Sequence, residues 1–429
     1  MRREESLRRE KPVRGESLFN EGNETRQAGK NEKPLREESV RQEPLRQKIS
    51  FFAFILLSGI ALSPLSSTGG EPSLSGHWHR PAPAGKGDFS LYPQSCGSCH
   101  TTQYEGWKES LHAKAVGPGL LGQLDVGEYP ETALSCYTCH APLLEQQEVQ
   151  EKENEKYHPN RRFDAALQKS GVSCAACHIR NGKVVGPPPS GGLKTAKADI
   201  GKHGKSESRD FFQKSEFCAA CHQLDEGYSL NGKLLTNTYR EWKQSAWAQQ
   251  GVRCQSCHMP DRAHLFKGIH DKEMTLRAVD ISISREGGPA KLTISNIGAG
   301  HYFPTYVTPL IAIKAFSVDT SGKTIAGSQR EDFIGRKVSI DLEKEEFDTR
   351  IPPNGTHQFV YVGATAGTAT VLFEVWVYPD QFYYNLFKSL LEGNSASDPE
   401  LIKQAMGNAK STPYLLWKGE AAVKSRTKQ

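Results

Sequence analysis

Cys96-Gly97-Ser98-Cys99-His100 is the stretch on which the reading of this chain turns. The same pentapeptide, Cys-x-x-Cys-His, returns as Cys136/Cys139/His140, Cys174/Cys177/His178, Cys218/Cys221/His222 and Cys254/Cys257/His258. All ten cysteines of the 429 residues are spent on it. Two thiols two residues apart share about one helical turn and reach the two vinyl groups on one porphyrin edge. The imidazole that follows swings under the ring to bind iron, and this is the attachment signature of c-type haem. Five copies predict five covalently bound haems, each held by its cysteine pair and ligated by its own histidine.

Other uses of the cysteines fail on arithmetic. A zinc ribbon needs two such pairs roughly 15 to 20 residues apart, whereas the first cysteines here follow one another at 40, 38, 44 and 36 residues. An odd number of pairs also leaves one unmatched. Thioredoxin-like dithiols need no histidine after the second cysteine. A disulfide framework belongs to small secreted domains without a core, and a chain of this length buries one unaided.

The formal charge of +5 suggests a nucleic-acid partner, but residues 1–48 hold 13 Lys/Arg against 10 Asp/Glu. Propionates and iron from five haems shift the remainder to about −3 oxidised and about −8 reduced. Nucleic-acid binding is excluded on that ground.

The apolar run Ile49 to Leu65, densest over Phe51 to Leu62, follows Arg41, Arg46 and Lys48 and precedes small residues. It is short of the roughly 20 residues of a membrane span and fits a signal h-region. We expect export, in keeping with haem attachment outside the cytoplasm. The charged stretch 1–48 is longer than an ordinary n-region, so a start near Val40 or Leu45 is expected. The alternative is a disordered tail on an uncleaved membrane anchor.

The expected organisation is a charged extension over 1–48, a signal peptide or anchor over 49–68, a Pro/Gly/Ser-rich linker over 69–91, a pentahaem domain over 92–272, a β-sandwich over 273–379, and a C-terminal helix and tail over 380–429. The class is α+β. In the haem region sparse helices and loops such as Gly186 to Gly192 wrap the porphyrins. Beyond Met274, period-two alternation at Ala278–Ser284, Ala290–Asn296, Leu310–Phe316, Gln358–Val362 and Val371–Tyr378 reads as strands, with turns at Glu286-Gly-Gly-Pro and Pro352-Pro-Asn-Gly. Helices are expected at about Asp380–Leu391 and Pro399–Met406, then a polar tail.

One internal repeat stands out. Tyr104-x-x-Trp107-x-x-Ser110-x-His112-Ala113 matches Tyr239-x-x-Trp242-x-x-Ser245-x-Trp247-Ala248, with Trp247 in place of His112. On a helix Tyr104, Leu111 and His112 share a face, so the first copy offers an imidazole and the second only packs.

Nine histidines lie outside the motifs, and beyond the initiator the methionines are Met259, Met274 and Met406. Met259 adjoins His258, too close to cross to the other face of the same ring. Met/His ligation, which raises haem potential, is not general here, and bis-histidine haems are expected. The distal candidates are His112; His264 and His270 after the fifth motif; His301 in a Gly-Ala-Gly-His-Tyr-Phe-Pro loop whose glycines admit a flat ring; and His203 before the fourth motif. His77, His79, His158 and His357 rank below them.

The run Cys96 to Ala113 resembles the first haem segment of the tetrahaem cytochrome family that takes electrons from hydroxylamine oxidoreductase in ammonia oxidisers. Gly251 to Pro260 and the His301 loop are similar to multihaem cytochromes in which haem packing precedes a β-sandwich. The resemblance spans roughly 92–385 and implies a periplasmic carrier that relays electrons between redox partners, such as other cytochromes and quinol-linked or periplasmic oxidoreductases. Five haems instead of four, and no Cys-x-x-Cys-Lys motif of pentahaem nitrite reductases, mark departures from known relatives. The rival is a reductase or oxidase of a small nitrogen or sulfur species, such as nitrite or hydroxylamine, at one haem with an open sixth position.

Overall fold

The computed structural model describes residues 74–423 except 79–83, 86–88, 153–155, 189–202, 204–205 and 286–287. The expected extension, signal segment and His79 lie outside those residues. Helices and sheets both occur, so the chain is α+β.

The helices are short wherever motifs crowd together. They include α1 (Thr101–Glu109), α2 (Pro118–Leu121), α3 (Pro130–His140) and α4 (Thr238–Lys243), with motif turns at Pro93–Gly97, Cys174–His178, Glu216–His222 and Cys254–His258. Longer ones come late, as α5 (Gln381–Glu392) and α6 (Pro399–Lys410). Proline opens α2, α3 and α6, where its missing N–H costs nothing. Asp398 caps α6 by accepting from the Glu400 and Leu401 amides at 3.0 and 3.1 Å. Short ribbons that the haem-region reading did not anticipate also appear, among them Val149–Lys152 with Lys156–Pro159 and Ser229–Leu230 with Lys233–Leu234.

After the fifth motif the chain forms β1 (Val279–Ser284), β2 (Lys291–Asn296), β3 (Leu310–Val318), β4 (Arg330–Val338), β5 (Glu345–Asp348), β6 (Thr356–Val360), β7 (Thr370–Tyr378) and β8 (Tyr414–Ala422). These make a three-stranded sheet ordered β6-β2-β1 and a five-stranded sheet ordered β5-β4-β3-β7-β8. Leu292 and Ile294 from the first share one buried cluster with Ile311, Ile313, Phe373 and Val375 from the second. Each such side chain contributes about 1.5–3 kcal/mol by leaving water.

Three strands escaped the sequence pattern: β4, the short β5 and β8. In β4, Arg-Glu-Asp-Phe-Ile-Gly-Arg-Lys-Val looks solvated, yet Arg336 is 1% exposed. Its guanidinium donates to the carbonyls of Leu230, Lys233 and Leu234 and pairs with Glu345 at 2.7 Å. In β8, the stretch expected as a polar tail returns to pair with β7, and Leu416 and Ala421 enter the core.

Candidate cofactor sites

One connected cavity of about 3150 Å³ runs through the motif region. It is lined by all ten cysteines, the five motif histidines, and His112, His203, His264, His270 and His301. A single ligand pocket occupies about 300–1,000 Å³, so the space suits several large cofactors. The cysteines are not joined in disulfides. Among the described residues no group of three or more His, Cys, Asp or Glu side chains converges to hold a bare metal ion. The thiols and imidazoles open into the cavity instead, as haem attachment requires.

Four motif histidines face a second imidazole. His100 lies 5.9 Å from His203 with rings 12° apart, and His258 lies 6.4 Å from His301 at 13°. His178 and His264 are 6.1 Å apart at 39°, and His222 and His112 are 6.1 Å apart at 44°. Two metal–nitrogen bonds of about 2 Å plus the two ring half-widths give about 6 Å between centroids. The residues present therefore fit hexacoordinate haem iron at four positions.

The outer nitrogens are fixed as well. Nδ1 of His140 donates to the Ala115 carbonyl at 2.7 Å, that of His178 to Val185 at 2.9 Å, and that of His258 to Lys267 at 2.7 Å. On the distal side His264 and His301 donate to Arg262 and Tyr302, both at 2.9 Å. Such partners set the tautomer and leave Nε2 free for metal. His222 differs in that its Nδ1 bonds the Tyr306 hydroxyl. Burial drives the pKa of His112 down to about 3 and those of His178 and His222 down to about 4. Neutral imidazole is the form that ligates metal.

The motifs are not arrayed evenly. The turn holding Cys96 packs on the one holding Cys174, and the Cys254 amide donates to the Ser215 hydroxyl just before the fourth motif at 3.1 Å, so the first motif abuts the third and the fourth abuts the fifth. His112 is close enough to His222, His258 and His264 to feel all three. It joins the two groups.

The internal repeat is built into the backbone. Trp107 Nε1 donates to the Val172 carbonyl at 2.8 Å and Trp242 Nε1 to Val252 at 2.9 Å. In return the Val172 amide donates to the His112 carbonyl and the Val252 amide to Trp247, each at 2.9 Å. Gly171 and Gly251, just before these valines, have φ of +58° and +78°, which favours glycine. Each copy thus clamps the segment leading into a motif, the third and the fifth. One expectation needs correction: α1 ends at Glu109, and His112 sits in the turn beyond it instead of on a shared helical face. The Ser110 hydroxyl bonds the Trp107 carbonyl at 2.6 Å and closes the helix there.

The second motif stands apart. Among the described residues His140 has no imidazole stacked opposite it. His270, expected as a ligand, directs Nε2 to both Asp380 oxygens at 3.0 Å. At the rim of the cavity α2 packs tightly on the α5–α6 hairpin: a Cβ on Gly119 would fall 2.5 Å from Phe387 Cζ, and one on Gly122 2.9 Å from Ile402 Cδ1. The remaining described histidines are used elsewhere. His77 is buried among Phe211, Phe212 and Phe217, His158 lies in a ribbon, and His357 pairs with Asp332 at 2.8 Å.

Sequence reasoning missed Tyr306 and Glu241. Tyr306 follows His301 in the same loop, and its spacing from Tyr302 was the available signal. Glu241 sits inside the repeat beside Trp242, yet nothing local marks it as buried.

Comparison with known proteins gives a consistent picture. Residues 95–179 match the family described as cytochrome c554 and c-prime. The chain is 26% identical over 155 residues to cytochrome c-554 of Nitrosomonas europaea, an alignment covering 32% of this chain and 60% of that protein. It thus spans less than two thirds of that relative's length. A penta-heme cytochrome c552 from Thermochromatium tepidum has a similar fold, with a TM-score of 0.50 and 20% identity over 76% of this chain and 97% of that one. These matches support a multihaem c-type cytochrome with covalently bound haem c.

Proposed function

We propose that this chain is an exported pentahaem c-type cytochrome that relays electrons between redox partner proteins. The observation that carries the reading is the set of four facing imidazole pairs along one cavity that also receives every cysteine. The haems supply one-electron chemistry when bound. The chain's own part is to fasten them through Cys96/Cys99, Cys136/Cys139, Cys174/Cys177, Cys218/Cys221 and Cys254/Cys257. His100/His203, His178/His264, His222/His112 and His258/His301 close four irons to substrate. The contacts of motif one with three and of four with five bring neighbouring sites together, and His112 links the groups. Residues 92–272 form the haem domain and 273–379 a β-sandwich whose loop delivers His301. Partners are other cytochromes and quinol-linked or periplasmic oxidoreductases, and the compartment is extracytoplasmic. Among the described residues no helix is long and apolar enough to cross a membrane.

A second reading is favoured by a specific observation. Among the described residues no imidazole faces His140 and His270 is engaged with Asp380, so a haem held by the second motif would keep an open position for a small ligand. Electron paramagnetic resonance of the oxidised holoprotein tests both readings. The expected spectrum has four low-spin ferric signals and one high-spin signal. Five low-spin signals would remove the open site, and a protein without a Soret band would remove the cytochrome assignment itself.

A further inference from the structure

Glu241 is an undercompensated charge at the seam between the haem region and the sheets. Its side chain is 4% exposed, and among the described residues its one ion-pair partner, Arg350, is shared. Arg350 gives Asp348 both Nε at 2.8 Å and Nη2 at 2.9 Å, and reaches Glu241 through Nη1 alone at 3.3 Å. Asp348 has a second cation in Lys233 at 2.9 Å. On the helix of Glu241 itself, Arg240 turns to Glu226 and Lys243 lies over the Tyr239 ring, so neither supplies the missing charge. A dry carboxylate in such a position favours its neutral form. Burial, joined by the Asp348 charge, outweighs Thr305, Arg350 and the Tyr302 amide and holds the Glu241 carboxyl above its ordinary range.

The same carboxylate is tied to two of the proposed haem sites. Its Oε2 accepts from the Tyr302 amide at 3.1 Å, next to His301, and from the Thr305 hydroxyl at 2.7 Å, next to Tyr306, whose own hydroxyl bonds His222 Nδ1. His222 belongs to the fourth motif, and His301 faces His258 of the fifth. The Tyr302 ring is turned to the Arg350 guanidinium, 5.1 Å away. A path for protons is present as well. Thr305, which donates to Glu241, is joined to the Thr238 hydroxyl at 2.9 Å, and both threonines border the cavity. A hydroxyl pair thus connects the buried acid with the open space.

We propose that Glu241 is a redox-linked proton-binding site: when the fourth or fifth haem takes an electron from a redox partner, a proton from solvent passes Thr238 and Thr305 and joins a Glu241 carboxylate oxygen. One O–H bond forms, and the added proton balances the charge of the added electron. This rests on the relay reading above and gives the relay a second cargo. Proton and electron binding are reciprocal, so an ionised Glu241 disfavours reduction. The affected potential therefore falls as pH rises, by at most about 59 mV per pH unit, the equivalent of a tenfold change for one electron.

Spectroelectrochemical titration of the full holoprotein over a series of pH values tests this, with Glu241→Gln beside the parent. Glutamine keeps an acceptor oxygen for Thr305 and Tyr302 but carries no charge at any pH. In the parent at least one potential should fall with rising pH, and in the variant it should stay at the level the parent shows in acid. Five pH-independent potentials in the parent, or a slope that survives unchanged in the variant, would overturn the site while leaving the relay standing. A protein without reducible haem would remove the relay reading and the site with it. The reduced-minus-oxidised infrared difference spectrum of the parent needs no variant: reduction should bring up a protonated-carboxyl C=O band that shifts in heavy water, and its absence counts against the site. Should the glutamine variant not fold, Asp348→Asn frees the Arg350 charge for Glu241 and should move the sloping region to lower pH; an unmoved region counts against the site.

Discussion

Glu241 on α4 and Thr305 in the His301 loop are joined by a hydrogen bond of 2.7 Å in a nearly dry environment. The same carboxylate accepts from the Tyr302 amide at 3.1 Å and meets Arg350 at 3.3 Å. Arg350 is held in turn by Asp348 at 2.8 Å. Tyr302 and Thr305, which follow His301, are thereby tied to the helix that follows the fourth motif. Glu241→Ala leaves these donors buried without an acceptor and should cost about 3 kcal/mol of stability, measured by chemical unfolding. It should also broaden one low-spin resonance, that of the His258/His301 site, while the other three keep their positions.

Tyr306 bears on potential instead of stability. Its hydroxyl is the partner of His222 Nδ1, where the other partnered motif histidines use a carbonyl. Accepting from Nδ1 makes an imidazole a stronger donor to metal. Tyr306→Phe should raise one haem potential, by about 20–60 mV if one hydrogen bond is worth about 0.5–1.5 kcal/mol. Spectroelectrochemical titration reads this directly, and an unchanged set of five potentials would refute it.

The distal histidines can be separated by replacement. His112→Ala, His203→Ala, His264→Ala and His301→Ala should each turn one low-spin signal high-spin, leaving three low-spin signals. His270→Ala should leave four. A loss of a low-spin signal in the His270 variant would show that this residue reaches iron after all.

Acid should loosen the seam between haem region and sheets first. Hydrogen bonds and charge from Arg350 and Lys233 outweigh burial and hold the Asp348 carboxyl at about 2, below its ordinary 3.8. A depressed carboxyl pKa contributes stability that is complete above the unfolded value and is lost as pH falls through the folded one. About 2 kcal/mol should therefore disappear between roughly pH 4 and pH 2. Asp348→Asn should flatten that part of the curve, as followed by thermal unfolding against pH.

The parts of the site that were legible in sequence are those in which chemistry is local. Cys-x-x-Cys-His places three functional atoms on one turn, so Cys96 to His100 declares itself. His112, His203, His264 and His301 were singled out by their surroundings, and each faces a motif imidazole. His270 was singled out on the same grounds, but its partner Asp380 lies 110 residues away, beyond any local pattern. Strands β1, β2, β3, β6 and β7 followed alternation, since one face of each meets the core. Strand β4 was hidden because Arg336 is buried by carbonyls contributed from another segment. Strand β8 was hidden because Tyr-Leu-Leu-Trp-Lys-Gly-Glu-Ala-Ala alternates only in part.

The pairing of histidines has a bearing on how the molecule is made. His100 meets His203, His222 meets His112, and His178 meets His264, partners separated by 103, 110 and 86 residues. Closing loops of that length costs entropy that no local helix repays early. In the proposed reading, a haem fastened at the first or third motif would wait with one side bare until much later sequence arrives. Maturation would then have to tolerate exposed, half-dressed iron for the time needed to deliver the rest of the chain, with the final compaction drawing the distant segments together late.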